Sequence, residues 1–295
     1  MRKFAFIFIV VAGIAWGCIG LFVRYLNEWG ISSMEIVALR SWVTVLAMAI
    51  LLFMADPTLF KISLKDIWCF LGTGLASIVF FNYCYFKTIE YASLSVAAVL
   101  LYTAPAIVMV LSFFIFKEKF TVPKVIALVM TVVGCALVTG IFNLSVSVAA
   151  ISILTGLGAG LGYALYSIFG RFALEKGYNT FTITFYTFLF AGIGSSIFIK
   201  PWNVIAVMTE SGSRLAFGIA FGLVCTVLPY LTYTIGLKYV ENGKASILAS
   251  IEPVTATLLG IIVFNEKAVI SEILGIVVVI GALIICNIKE KMAEE

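Results

Sequence analysis

Ten runs of mostly apolar residues, each close to the ~20 residues that a helix needs to cross a bilayer, occupy most of this 295-residue chain. They extend over Phe4 to Tyr25, Ser33 to Met54, Ile67 to Lys87, Leu94 to Phe116 and Val122 to Ile141, then Val148 to Phe172, Phe181 to Ile199, Leu215 to Leu237, Ala245 to Phe264 and Ile270 to Ile288. A backbone immersed in hydrocarbon must satisfy its own polar groups, which makes helix the conformation for runs of this length. The breaks between runs are too short to fold as separate water-soluble domains. The expected fold class is therefore all-α and integral to a membrane, with ten transmembrane helices in one unit. Composition agrees: 63% of residues are hydrophobic and 12% charged, against about 45–50% and about 25% in soluble domains.

The same composition removes several classes of function. The chain has no histidine, so imidazole metal sites and every Ser-His-Asp or Cys-His arrangement are absent. A net charge of +4 without a basic stripe offers nothing to track a phosphate backbone, and no nucleic acid partner is expected. Cys18, Cys69, Cys84, Cys135, Cys225 and Cys286 all fall in apolar runs and form no CxxC pair; they read as buried free thiols, not disulfides or metal ligands. No GxxxxGK[ST] segment is present, which argues against an ATP-driven pump. No cofactor and no metal are called for.

The second half of the chain repeats the first. Gly13 through Gly30 aligns with Gly160 through Gly177, placing Trp16 on Tyr163, Phe22 on Phe169, Arg24 on Arg171 and Glu28 on Glu175. Further along, Tyr85, Tyr91, Ala97, Pro105, Glu118 and Lys119 fall on Tyr233, Tyr239, Ala245, Pro253, Glu266 and Lys267 at a constant offset. The halves divide at 143/144, giving repeats over residues 1–143 and 144–295. Each holds five spans, an odd number, so the second enters the membrane from the opposite side. Inverted repeats of this kind place a substrate site at their interface near the midplane. Met1-Arg2-Lys3 followed by Phe4 to Val11 and Ala12 to Ala15 could pass for a cleaved secretory signal, but the segment has a partner in the second half, which speaks against removal.

Orientation follows from the basic residues, which concentrate in cytoplasmic loops. With the N-terminus inside, most of them gather on the inner side, from Arg2 and Lys3 through Lys117 and Lys124 to Arg171 and Lys289. The outer side holds only Arg24, Lys87, Lys200, Arg214 and Lys267. Both termini are accordingly expected in the cytoplasm, with the chain in the cytoplasmic membrane. Trp29, Trp68 and Trp202 lie near span ends, where indoles favour the headgroup level.

Trp16-Gly17 in the first span, Tyr91 to Ala97 leading to Pro105, the closing Glu118-Lys119, then Tyr239 to Ala245, Glu252-Pro253 and Glu266-Lys267 together resemble the drug/metabolite transporter (DMT) superfamily, and within it the ten-helix EamA-type transporters. The resemblance covers the whole chain. It implies tandem five-helix domains in 5+5 inverted topology, secondary transport that is proton-coupled in many members, and a central cavity lined by the first four spans of each half, with the fifth and tenth peripheral. For substrate it is broad, spanning amino acids, other metabolites, quaternary ammonium compounds and drugs.

Several residues stand out against that background. Glu252 lies inside the ninth span, where insertion of an ionised acid costs ~2.5–3.5 kcal/mol. Its first-half equivalent is Ala104, so the acid breaks the repeat and suits an asymmetric task such as proton coupling or binding a substrate amine. A structural acid locking a bent helix is the competing interpretation. Pro105 and Pro253 recur at matching positions of the fourth and ninth spans, and each frees a carbonyl four residues earlier, at Leu101 and Ala249. Matched helix interruptions point to a transporter site, or else to packing kinks; Pro229 adds a kink in the eighth span. Tyr163 with Tyr166, and Tyr230 with Tyr233, sit three residues apart on one helix face each. Asn82 and Tyr85 are equivalent to Tyr230 and Tyr233, and Tyr102 to Ser250. With Trp16 these form a candidate substrate-binding set suited to amphipathic or cationic molecules, although buried packing explains any one of them equally well.

Arg40 is the basic residue well inside a span. It could bind a substrate carboxylate, but pairing with Glu35 of the same span or with a carbonyl fits the cost of an intramembrane charge better. Glu118-Lys119 and Glu266-Lys267 read as turn and helix-end electrostatics. Gly72, Gly74 and the run Gly156, Gly158, Gly160, Gly162 permit close helix approach.

The expected function is secondary active transport of a small amphipathic metabolite, with amino acids or related amines favoured, by alternating access and exchange for protons through Glu252, in the direction of export. The partners are that substrate, protons and the lipid bilayer; the sequence leaves the oligomeric state open, with a monomer favoured. A quaternary ammonium or drug transporter and an uncoupled facilitator are the alternatives within transport. A membrane-embedded enzyme would want acidic metal-binding clusters or a nucleophile with a base, and the spans offer neither.

Overall fold

The computed structural model describes residues 4–140 and 149–288. The expected division at 143/144, the ends of the fifth span at Ile141 and of the sixth at Val148, and the basic residues Arg2, Lys3, Lys289 and Lys291 lie outside the described residues. Among those described, the chain is helical with no strand. The first half comprises α1 (Ala5–Gly17) and α2 (Ile19–Glu28) as one span, α3 (Ser33–Ala55), then α4 (Ile67–Leu71) continuing through a π-helical turn (Gly72–Val79) into α5 (Phe80–Tyr91), followed by α6 (Leu94–Leu101), α7 (Ala104–Phe116) and α8 (Val122–Val138). The second half comprises α9 (Ala150–Glu175), α10 (Thr180–Ser196), α11 (Pro201–Thr209), α12 (Gly212–Gly222) with a π-helical turn (Leu223–Val227) leading into α13 (Leu228–Leu237), then α14 (Asn242–Ala249), α15 (Ile251–Phe264) and α16 (Ile270–Ile288).

Eight passages are long and apolar enough to cross a bilayer. The two others, α8 and α10, have 17 residues each, about 25 Å of helix and the short end of the spanning range. Together they make ten membrane passages, five in each half. One element escaped the sequence reading: α11 leaves the end of α10 at 106°. Pro201 supplies a pre-set first helical residue. Val204 and Met208 bury against Leu26, Ile36 and Phe221, while Trp202 and Ile205 face outward, as in a helix lying along the membrane interface.

Helix ends repeat with the sequence. Gly30 and Gly177, equivalent by the repeat offset, both take positive φ (84° and 85°) after α2 and α9, a conformation glycine adopts without steric cost. Ser32 and Asn179 then open α3 and α10, Ser32 in a capping box with Glu35 and Asn179 accepting from Phe181 N. Lys117 and Asn265 close α7 and α15 in the left-handed conformation, and the following amides, of Glu118 and Glu266, each return 3.2 Å bonds to Ser112 and Gly260 carbonyls. The α9–α10 turn is tied to the start of α4 by Lys176 Nζ at 2.6 Å from Asp66 and by Tyr178 OH donating to the same carboxylate at 2.8 Å. Asp66 holds the Lys176 ammonium above the usual lysine range, so it stays charged throughout the physiological range.

The two halves interlock. α1 packs against α13, α14 and α15, and its counterpart α9 packs against α5, α6 and α7. α3 lies along α10, and α8 pairs with α16 at a crossing where a Cβ on Gly275 would stand 2.7 Å from Gly134 O. Both third passages contain a π-helical turn at matching positions, and both fourth passages are broken, at 102–103 and at Ser250. Each break is covered by a glycine of the other half. A Cβ on Gly13 would lie 2.7 Å from Ala249 O, and one on its equivalent Gly160 would lie 3.1 Å from Leu100 O and 2.7 Å from Thr103 Oγ1. The Ala249 carbonyl freed by Pro253 is thus covered by a helix approaching closer than any side chain allows.

Candidate functional site

Where α1, α5, α9 and α13 meet, Trp16, Ser77, Ile78, Phe81, Tyr163, Tyr166, Ser167, Tyr230 and Tyr233 surround a narrow cavity with room for about one water molecule. Trp16 is the hub. Its ring centroid stands 5.1 Å from Tyr230, 5.2 Å from Tyr233 and 6.1 Å from Tyr163, and Tyr166 lies edge-on to Tyr230 at 4.9 Å. These are favourable edge and tilted ring pairs. Rings from both halves fill the interface, so any solute larger than water must part them.

The hydroxyls are individually assigned. Tyr166 OH and Thr234 Oγ1 share a hydrogen bond at 2.8 Å, as do Tyr233 OH and Ser167 Oγ. Tyr163 OH donates to Glu252 Oε2 at 3.1 Å. Glu252 is partly buried and occupies the first turn of α15, so the break at Ser250 provides a helix N-terminus inside the membrane whose partial positive charge favours a carboxylate. In the first half Ala104 occupies the same place on α7, without an acid.

Five of the expected binding residues, Trp16, Tyr163, Tyr166, Tyr230 and Tyr233, line the cavity; Asn82, Tyr85, Tyr102 and Ser250 do not. Tyr85 packs on Phe81 at 5.9 Å, and Tyr102 is partly buried against the central core. Ser250 donates to Ser246 O in the preceding turn at 3.2 Å. Asn82 donates to Ile78 O at 2.7 Å and accepts from Arg40 Nη2 at 3.3 Å. Pro105 and Pro253 stand in the first turns of α7 and α15, just past the breaks.

Arg40 is not paired with Glu35, which corrects the interpretation favoured from sequence. Glu35 Oε2 accepts from Ser32 N and Oγ at 2.9 and 2.8 Å, and Oε1 accepts from Asn203 Nδ2 at 2.9 Å. Capping α3 consumes that carboxylate at the helix end, more than a turn from Arg40. Ser77, Ile78, Phe81 and Ser167 were missed. Ser167 follows Tyr163 by four residues on α9, so helical spacing alone could have found it. The other three lie in or just after the Gly72–Val79 π-helical turn, whose extra residue per turn shifts the register that periodicity assumes.

Away from the cavity, Glu118 accepts from Asn242 N at 2.7 Å and Gly243 N at 3.1 Å, capping α14 from the opposite half. Arg171 Nε donates to Asn242 Oδ1 at 3.0 Å and its Nη2 to Val240 O, while Asn242 Nδ2 donates to Ser112 Oγ at 3.2 Å. The equivalent pair at the other end, Arg24 and Glu266 at 3.4 Å, is exposed. Glu118→Ala is therefore expected to lower stability by about 1–2 kcal/mol through loss of a cap, read as an earlier thermal unfolding transition in detergent. Glu266→Ala should change the transition by less than about 0.5 kcal/mol, because exposed pairs contribute little.

Ten membrane passages in two interlocked halves around a central cavity define a multi-pass transporter fold. Residues 3–140 and 150–288 each match the EamA-like transporter family, and the chain belongs to that family, within the drug/metabolite transporter superfamily. Among similar proteins are an "Uncharacterized transporter" of Archaeoglobus fulgidus, 30% identical over 73% of both chains, and "Uncharacterized transporter YxxF" of Bacillus subtilis, 25% identical over 98% of this chain and 91% of the relative. "Uncharacterized inner membrane transporter YicL" of Salmonella typhimurium is 21% identical over 96% of this chain and 95% of its own length. A protein crystal structure 15% identical in sequence superposes over 100% of both chains with a TM-score of 0.79, a likeness of fold.

Proposed function

We propose that this transporter carries a small amphipathic metabolite, an amino acid or related amine, across the cytoplasmic membrane by alternating access, exchanging it for protons at Glu252 in the direction of export. The observation that carries the reading is the 3.1 Å bond from Tyr163 OH to Glu252. It joins an intramembrane acid to the wall of an aromatic cavity at the interface of the halves, one side chain behind that wall, so parting of the rings would bring a proton or a substrate cation to the carboxylate. Aromatic faces suit the apolar and cationic parts of such a solute. Closure of the rings over the cavity matches an occluded stage of the cycle, and the two broken helices supply hinges beside it. With Arg171 in the cytoplasm, the partly buried Arg171–Asn242–Glu118 network marks the inner end and the exposed Arg24–Glu266 pair the outer end.

Tracer exchange by the purified full chain in liposomes tests the transport reading. Labelled amino acids and amines, offered as separate pools, should enter vesicles preloaded with the same unlabelled pool and stay out of protein-free vesicles. Absence of exchange for both pools would contradict the substrate class.

A further inference from the structure

Arg40 is only 4% exposed and Trp16 only 6%, yet Arg40 Nε and Trp16 Nε1 meet no hydrogen-bond acceptor. A buried donor left without a partner is costly, and more so on a charged group. Among the described residues no ion pair within 4.0 Å includes Arg40 or Glu252. Tyr230, in the same wall as Trp16, meets it edge-on at 5.1 Å. One turn before it, in the second π-helical turn, the buried hydroxyl of Thr226 also lacks a partner. Asn82, bonded to Arg40 Nη2, is itself anchored to the carbonyl of the cavity-lining Ile78. The interface thus holds a buried cation whose Nε is idle, further idle donors on Trp16 and Thr226, and an acid in separate contact with Tyr163.

We propose that Arg40, steadied by Asn82, is the subsite for the substrate carboxylate, with the idle Trp16 Nε1 of the cavity wall as a further donor, so that the transported solute is a zwitterionic amino acid with its ammonium at Glu252 and its carboxylate at Arg40. This rests on the transport reading above and narrows its substrate class. A guanidinium presents its Nε and Nη donors as a planar fork that matches a carboxylate, which an ammonium cannot reproduce. The opposed charges also explain how an intramembrane Arg and Glu coexist without pairing directly, since the substrate bridges them. An amine lacking the carboxylate leaves Arg40 as unsatisfied as before, and a site built to bond a group rejects the analogue without it.

The test is tracer exchange in proteoliposomes with three matched probes: phenylalanine, phenethylamine, which lacks the carboxylate, and 3-phenylpropionate, which lacks the amine. Wild type should exchange phenylalanine at least tenfold faster than phenethylamine. Arg40→Gln should collapse that ratio, and Arg40→Lys, which keeps the charge and guards against a folding defect, should reduce it in part. Trp16→Phe keeps the ring and removes the donor; it should raise the half-saturating phenylalanine concentration several-fold. Equal exchange of phenylalanine and phenethylamine by wild type, unchanged in Arg40→Gln, would overturn the carboxylate subsite while leaving amine transport standing. Exchange of 3-phenylpropionate as fast as phenylalanine, lost in Arg40→Gln, would keep Arg40 and discard Glu252 as an amine site. Exchange of none of the three by folded protein would overturn both.

Discussion

Glu252→Gln is expected to reduce pH-driven substrate accumulation to the level of protein-free vesicles while the protein remains folded. Glutamine preserves the side-chain length, and its amide oxygen can still accept the Tyr163 hydroxyl now bonded to Glu252 Oε2, so the α9–α15 contact survives. What it loses is the ability to release a proton or to carry a charge. For a cationic substrate group the half-saturating concentration should also rise roughly ten- to a hundredfold, because a hydrogen bond to a charged group is worth about 1.5–3 kcal/mol. Tyr163→Phe removes only the donor and should produce a milder defect of the same kind. Accumulation at the wild-type level in Glu252→Gln would remove Glu252 from the coupling step, and the Ala104 that replaces it in the other half would then have no functional meaning.

The second large effect is structural. A Cβ added to Gly13 would meet Ile251 Cγ2 at 2.5 Å and Ala249 O at 2.7 Å, the latter a backbone atom that cannot swing aside. Gly13→Ala should therefore cost about 2 kcal/mol or more, since an overpacked interface must open, and it should slow transport by wedging α1 away from the break at Ser250. Gly20, farther along the same span, has nothing within 4 Å of such a Cβ. There the same substitution should be neutral or stabilising by up to about 1 kcal/mol through helix propensity. Thermal unfolding of the two variants in one detergent measures the difference, and opposite signs are expected. Equal shifts would mean that α1 does not press on the break at Ser250.

Much of the architecture is legible because a bilayer allows few solutions. Apolar runs near twenty residues become spans, and their odd number in each half forces inversion. The prolines at 105 and 253 announce breaks at Tyr102–Thr103 and Ser250 because they lack the donor a continuing helix requires. The aromatic site is legible in part. Tyr163 and Tyr166 lie within the continuous α9, and Tyr230 and Tyr233 both lie within α13, where a spacing of three residues places rings on one face. Asn82 and Tyr85, the repeat equivalents of Tyr230 and Tyr233, end outside the cavity wall, because Asn82 is taken up by Arg40 and the Ile78 carbonyl and Tyr85 packs on Phe81, contacts that the repeat does not reveal. Arg40 shows a different limit. Sequence proximity suggested Glu35, but Asn203 from the distant α11 and the cap at Ser32 compete for that carboxylate. No local pattern reveals a partner 168 residues away.

Proton movement that accompanies substrate movement is the most direct measure of the central claim. A pH-sensitive dye inside proteoliposomes of wild type and of Glu252→Gln, challenged with pooled amino acids at no imposed gradient, reports it. Substrate-dependent proton flux opposite to the amino acid, present in wild type and absent in the variant, is the predicted result. Amino acid uptake by wild type with no change in dye signal, or an equal signal from both proteins, would contradict proton exchange at Glu252.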